Sequence, residues 1–394
     1  MRQASVVAAG ALVAGLLVAT GPASTAAPAG RGASLRASEP PAAPASARIG
    51  SRVVLGGLDH PWDLAFISKK RFLFTERDRL RISLGTVGGG RRTVGRAAGL
   101  WSGGETGLMA IELAPRFARN GQFYTCHGWR SAGRTDVRVA RWRLNDARTK
   151  ARLVRTIVRG LPSTSGRHGG CALVFGRNGA LYIGTGDAAS SRTPRRLKSG
   201  GGKVLRVNPR TGRGWPKNRW AGSKNAMKRR VFTYGHRNVQ GLARRGTQIW
   251  NVEQGTSRDD EVNRLRRGGD YGWKPGPGYD ESVPMTDHGL PGKQRKARWR
   301  SGYPTIAASA GAWLRGKRWG RKSGRVLAIT ALKAQQVRFL AFNKRGRLVK
   351  QSRPARLYRR YGRLRGITVA PDGVLYVSTS NGGGRDRIIR VVPR

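Results

Sequence analysis

Acidic residues are scarce in this chain. Its 394 residues include 20 Asp and Glu against 77 Lys and Arg, so the formal net charge is +57. Cysteine is nearly absent. Two residues, Cys126 and Cys171, exclude a disulfide-dense scaffold, a Cys₄ zinc site and an iron–sulfur cluster. Long apolar runs are missing as well. The longest, Val6 to Ala19, is too short for a comfortable membrane span, and nothing later could cross a bilayer. There is no helix-turn-helix, zinc-finger or RNA-binding signature, so the basic charge points to no specific nucleic-acid reader. Helix signatures are few after Ile49. What remains is an ordinary apolar content of 38% and 57 glycines, which argues against a wholly disordered chain.

The N-terminus reads as a targeting segment. Arg2 supplies a positive start, Val6 to Ala19 an apolar stretch, and small residues near Ala27 a cleavage region. Residues 1–27 are therefore expected to be a signal peptide; an uncleaved signal anchor is the alternative. Residues 28–48 are rich in Ala, Pro and Ser and read as a tether. The expected location is extracytoplasmic, secreted or associated with the cell envelope, and the folded domain is expected over 49–394.

From Ile49 onward a unit recurs: a strand, a turn, then a second strand ending in a polar or glycine-rich turn. The copies run from Trp62 to Glu76, Gly107 to Gly128, Cys171 to Asp187, Gly241 to Gly255, Gly311 to Lys333 (the loosest) and Gly366 to Asn381. Six copies at roughly 50–75 residues predict an all-β, six-bladed β-propeller, with about 57 residues per blade. A pair of β-sandwiches is the alternative. It leaves the shared ending of every copy unexplained.

The chemistry-bearing residues lie where these strands begin or end. His168, in SGRHGGC, sits among glycines just before a strand. It reads either as a general base or as a turn histidine. Arg237 and Asn238 open the fourth repeat. Asp259, Asp260 and Glu261 stand together, either as oxygen donors for a hard cation such as Ca²⁺ or as a solvated acidic loop. Lys333, Arg363 and Arg365 occupy equivalent strand ends and could clamp an anion, or simply share the chain's general basicity.

Taken in order, LDHPWDLAF, GETGLMAIEL, GRHGGCALVFGRNGALYIGTGDA, GGKVLRVNP, YGHRNVQGLA, EQGTSRDDEVN, GGDYGW and RLRGITVAPDG resemble the soluble PQQ-dependent glucose and aldose sugar dehydrogenase family, also called quinoprotein glucose/sorbosone dehydrogenases. The resemblance runs from about Gly57 to Pro393. It implies a six-bladed propeller that oxidises an aldose at C1, with hydride passing to PQQ and on to an external electron acceptor. By the same resemblance His168 is the catalytic base. Arg237, Asn238, Gln254, Lys333, Arg363 and Arg365 bind the cofactor. Gly255 and Thr256 offer carbonyls to a Ca²⁺ beside it, and Glu261 and Tyr271 belong to a second, structural Ca²⁺. A tricarboxylate cofactor suits an Arg- and Lys-lined channel.

Three positions depart from that family's pattern. Glu105 stands where glucose-oxidising members carry Gln, Arg167 replaces an acidic substrate contact, and Thr256 replaces a proline. Glu105 and Arg167 remain the candidate substrate contacts. A propeller that has kept the fold but binds an anionic envelope polymer or a protein, without redox chemistry, is the second reading. A lactonase-like hydrolase is the third, and it lacks the acidic and Asn set its central metal would need. The cysteines fall in adjacent repeats of a chain read as exported, so a Cys126–Cys171 disulfide is expected.

Overall fold

In the computed structural model, residues 49–393 are described, and the segments expected to be a signal peptide and a tether lie outside them. The strands form six sheets, five of four strands and one of five. Within each blade the first four strands pair antiparallel, and the fifth strand of the third blade, Gly269–Asp270, pairs parallel with Val231–Tyr234. The innermost strands are Pro61–Phe66, Leu108–Leu113, Gly170–Phe175, Asn238–Arg245, Ala308–Trp313 and Leu364–Val369. Each lies beside the next around a central channel, and Pro61–Phe66 also contacts Leu364–Val369, which closes the ring. The six sequence repeats are the inner strand pairs of the six blades. The sandwich alternative is thereby set aside.

The last blade is closed by the first strand. Ile49–Leu58 pairs antiparallel with Asp386–Pro393, Ile49 facing Pro393. This hydrogen-bonded join leaves no open edge between the two ends of the fold.

Middle strands such as Leu181–Thr185, Lys203–Val207 and Leu375–Thr379 are buried along their whole length. Each is pressed between two neighbouring blades, so both faces are buried and a two-residue alternation is lost. The one lysine so placed, Lys203, is satisfied by the carbonyls of Thr193, Pro194 and Gly201. Aromatic residues fill the gaps between blades. Trp142 stacks with Phe123 at 6.2 Å beside Leu73 and Leu84, and Trp250, Trp313 and Phe342 interlock further round.

The expected disulfide is present. Cys126, on the second strand of the second blade, bonds Cys171 on the inner strand of the third, with a Cα–Cα distance of 5.6 Å. The closed loop spans 45 residues. Removing such a link is expected to cost about 4 kcal/mol through the unfolded chain. A Cys126→Ala/Cys171→Ala protein should therefore melt well below the parent in calorimetry. An unchanged melting temperature would show that the bond contributes nothing.

Because strands alternate in direction, the inner strands all begin at one end of the channel. That end is called the mouth here, and the opposite one the far end. Turns after the second and fourth strands fall at the mouth, and turns after the first and third at the far end. His168, Asn238, Lys333 and Arg363 are all mouth residues by this rule.

Candidate active site

Two loops are pressed together to make the mouth. Gly186 lies so close to the His168 backbone that a Cβ there would sit 1.8 Å from the His168 carbonyl oxygen. Gly166, at φ +88°, would place a Cβ 1.9 Å from the Gly103 oxygen. Only glycine permits either approach. The loop bearing His168 is thus clamped between the GETG segment and the end of the third blade's second strand.

His168 is buried at 3% exposure and has φ 53°. Its Nδ1 is 2.9 Å from Asp187 Oδ1 and 2.8 Å from the Tyr279 hydroxyl. Asp187 is wholly buried and accepts three further bonds: Tyr279 Oη at 2.8 Å, Trp273 Nε1 at 2.7 Å and the Ala189 backbone N–H at 2.9 Å. Burial, and next the Asp187 charge, push the Tyr279 phenol far up, so it stays protonated and donates. A carboxylate held this firmly on Nδ1 fixes the proton there. Nε2 then carries the lone pair, and among the described residues nothing hydrogen-bonds it.

Glu105 Oε2 accepts from the His168 backbone N–H at 3.1 Å and from Asn238 Nδ2 at 3.4 Å. Its carboxylate is therefore a brace between the His168 loop and the fourth blade. Asn238 Oδ1 accepts from the Gly170 N–H and from Gln240 Nε2, and its Nδ2 also reaches Gln254 Oε1 at 3.3 Å. Gln240 Oε1 in turn accepts from Arg365 Nη1 at 2.6 Å. Arg365 is buried over the Trp62 ring, 3.8 Å from its centroid, and its Nε has no partner. Burial, with Arg77 adding to it, pushes this guanidinium down to about 9. Lys333 and Arg363 lie exposed at the rim.

Arg237 is tied to Glu281, whose Oε1 accepts from Nε at 2.8 Å, and its Nη1 donates to the Gln254 carbonyl. Arg167 also pairs with Glu281 and lies over the Tyr279 ring. Burial opposes ionisation of Glu281, but the two guanidiniums hold its carboxyl below the usual range. Tyr279 and Glu281 belong to a loop that carried no sequence signal. Asp187 stood in plain view in GTGDA, yet its link to His168 is a product of the fold.

The three neighbouring acids are separated by the structure. Asp259 pairs with Arg258. Asp260 is spent on the Gly255 and Ile306 backbone N–H groups and the Thr305 hydroxyl. Glu261 turns inward, where burial, with Glu253 adding to it, raises its carboxyl to about 7. It accepts from Asn263 Nδ2 and Thr286 Oγ1, and the carbonyl oxygens of Asn263 and Asn251 beside this strand pair are buried without partners. Tyr271 is buried, with its hydroxyl committed to the Arg264 oxygen and the Arg266 N–H.

Below the mouth the channel holds a cavity of about 700 Å³ lined by Asp63, Glu112, Gln240 and Arg365. Asp63 accepts from the Ile111 N–H and Glu112 from the Phe175 N–H, each reaching to the next blade. Burial raises Asp63 to about 7 and Glu112 to about 8. A carboxyl raised on folding favours the fold below its ordinary pKa and loses that contribution as pH climbs through 7–8. The melting temperature of Glu112→Gln should therefore gain on the parent steadily from pH 5 to pH 8. A constant difference across that range would contradict the shift.

Residues 58–390 match the family described as Glucose / Sorbosone dehydrogenase. The chain is 27% identical over 369 residues to the aldose sugar dehydrogenase YliI of Escherichia coli K12, covering 90% of this chain and 95% of that one. It is 27% identical over 265 residues to quinoprotein glucose dehydrogenase B of Acinetobacter calcoaceticus, covering 60% and 54%. Among solved structures, the PQQ-bound aldose sugar dehydrogenase of Streptomyces coelicolor superposes with a TM-score of 0.73 at 27% identity, covering 88% and 99%.

Proposed function

The chain belongs to the glucose/sorbosone dehydrogenase family, and from that premise we propose that it is an exported, PQQ- and Ca²⁺-dependent dehydrogenase that oxidises aldose sugars at C1 to lactones. The observation that carries this reading is His168, with Nδ1 saturated by Asp187 and Nε2 left free at the channel mouth.

The residues present suit both groups. The unpartnered, buried Arg365 Nε is a donor suited to an anion. Gln240 links Arg365 to Asn238, Asn238 reaches Gln254, and Arg237 donates to the Gln254 carbonyl, with Lys333 and Arg363 exposed at the rim. The orphaned oxygens of Asn263 and Asn251 next to Glu261 suit a hard cation, with Tyr271 left to contribute its backbone carbonyl. Gly255 and Thr256 would offer theirs to the ion beside the cofactor. When bound, PQQ supplies the two-electron acceptor and Ca²⁺ the polarising charge.

The protein's own part is proton handling and positioning. His168 Nε2 takes the proton of the anomeric hydroxyl as hydride leaves C1, and Asp187 stabilises the imidazolium that forms. Electrons pass on to an external acceptor. Glu105 and Arg167 flank His168 and are the residues through which the sugar would be chosen.

The Arg237–Glu281 pair favours the second reading, a propeller without redox chemistry, because it occupies a cofactor-side guanidinium. A titration with PQQ followed by tryptophan fluorescence separates the two. Saturable binding that Lys333→Ala weakens and Glu281→Gln strengthens supports the dehydrogenase. Chelation of Ca²⁺ should also lower the melting temperature. No PQQ binding would move the weight to the noncatalytic propeller.

A further inference from the structure

The sign of charge divides along the channel axis. Among the described residues every ion pair lies in the mouth-side half, as with Arg237–Glu281 and Arg195–Asp270. Both acids stand on the connection after blade 4's third strand, 265–298, which leaves the far end and returns to the mouth, where Asp270 pairs with Tyr234. Apart from that connection, with its Asp270, Asp280, Glu281 and Asp287, the far-end turns have Asp146 and Asp372 as their acids. Their cations recur in blade after blade. Lys69 and Lys70 follow the first inner strand, Arg318 and Arg321 the fifth, and Lys344 and Arg345 close the next turn of that blade, all six exposed. The segment 208–230, which joins the third and fourth strands of blade 3 there, holds no acid.

This face is crowded enough for its cations to oppose one another. Burial, and next a neighbouring guanidinium, lower Arg245 (beside Arg325) and Arg315 (beside Arg244). The exposed large apolar side chains, Val53, Leu153, Val154, Tyr303 and Val349, lie outside these turns. The face therefore offers charge without an apolar wedge or an aromatic platform for stacking. Ile49 pairs with Pro393 at this same end.

We propose that the far end is a docking face for an anionic lipid surface, which turns the active-site mouth away from the membrane. Charge spread over turns around the channel matches a plane of anionic headgroups better than it matches a strand lying in a groove. Attraction of this kind must weaken as salt rises.

The test is co-sedimentation of the full chain with phosphatidylcholine vesicles, with and without phosphatidylglycerol, across a salt series. The expected result is binding only to the anionic vesicles, lost at high salt. Lys69→Glu, Lys70→Glu, Lys344→Glu and Arg345→Glu together should weaken it by roughly tenfold or more. The same charge change at the mouth side, at Arg196, Arg356, Arg359 and Arg360, should weaken it far less. Equal losses would mean that net charge alone is at work and would overturn the face assignment. Equal binding to neutral vesicles, or binding to soluble polyanions without vesicle binding, would overturn the lipid surface. Should a variant fail to fold, hydrogen exchange on the unaltered protein decides. Protection by anionic vesicles must fall on the far-end turns, and protection of the mouth turns instead would contradict the proposal.

Discussion

His168→Ala is expected to lower turnover by about 10²–10⁴-fold while leaving PQQ affinity close to that of the parent. The imidazole meets Asp187 and Tyr279 through Nδ1 and leaves Nε2 unpaired, so under the proposed mechanism its loss removes the proton acceptor. The cofactor-side contacts of Arg237, Asn238 and Arg365 do not pass through the His168 side chain. Steady-state kinetics with saturating PQQ and Ca²⁺, beside a binding titration, separates the two effects. Unchanged turnover would remove His168 from the mechanism. Equal loss of binding and rate would make it a packing residue.

Asp187→Asn should cost nearly as much, on the order of 10³-fold in turnover, with little change in fold. The amide keeps the shape but offers an N–H where Nδ1–H now donates. The ring would move its proton to Nε2 and lose the lone pair it presents to the sugar. Trp273 and Tyr279, which donate to Asp187, would also lose part of a charged acceptor. Because both residues serve one proton transfer, His168→Ala combined with Asp187→Asn should be little worse than His168→Ala alone. Additive losses would mean that Asp187 acts elsewhere. A pH–rate profile sharpens this, since the limb belonging to the base should move in Asp187→Asn.

The architecture was legible because each inner strand pair ends at the mouth, where glycine and polar residues must pack loops around the channel. That requirement writes the same ending into six copies. The outer strands were not legible. Trp299–Arg300 is two residues long, and Leu348–Ser352 is largely exposed, so neither carries a burial pattern. The disulfide could be read because its cysteines fall in adjacent repeats, which become adjacent blades.

At the site, the sequence supplied the residues of the mouth but not the loop that bears Tyr279 and Glu281. Arg167, expected to touch sugar, is half-exposed and paired with Glu281. Tyr279 and Glu281 arrive from a loop between Tyr271 and Trp299 that has no periodicity. Their contacts to His168 and Arg237 span 111 and 44 residues of chain. The acids Asp259, Asp260 and Glu261 looked like one oxygen set. A strand beginning at Glu261 turns that side chain inward and leaves Asp260 to brace the loop.

Reconstitution tests the dehydrogenase reading most directly. The purified protein is mixed with PQQ and Ca²⁺, and reduction of an artificial electron acceptor is followed across a panel of aldoses. Sugar-dependent reduction that disappears when PQQ is withheld, and that His168→Ala lowers by about 10²–10⁴-fold, is the expected result. Saturable PQQ binding with no reduction by any aldose would contradict it.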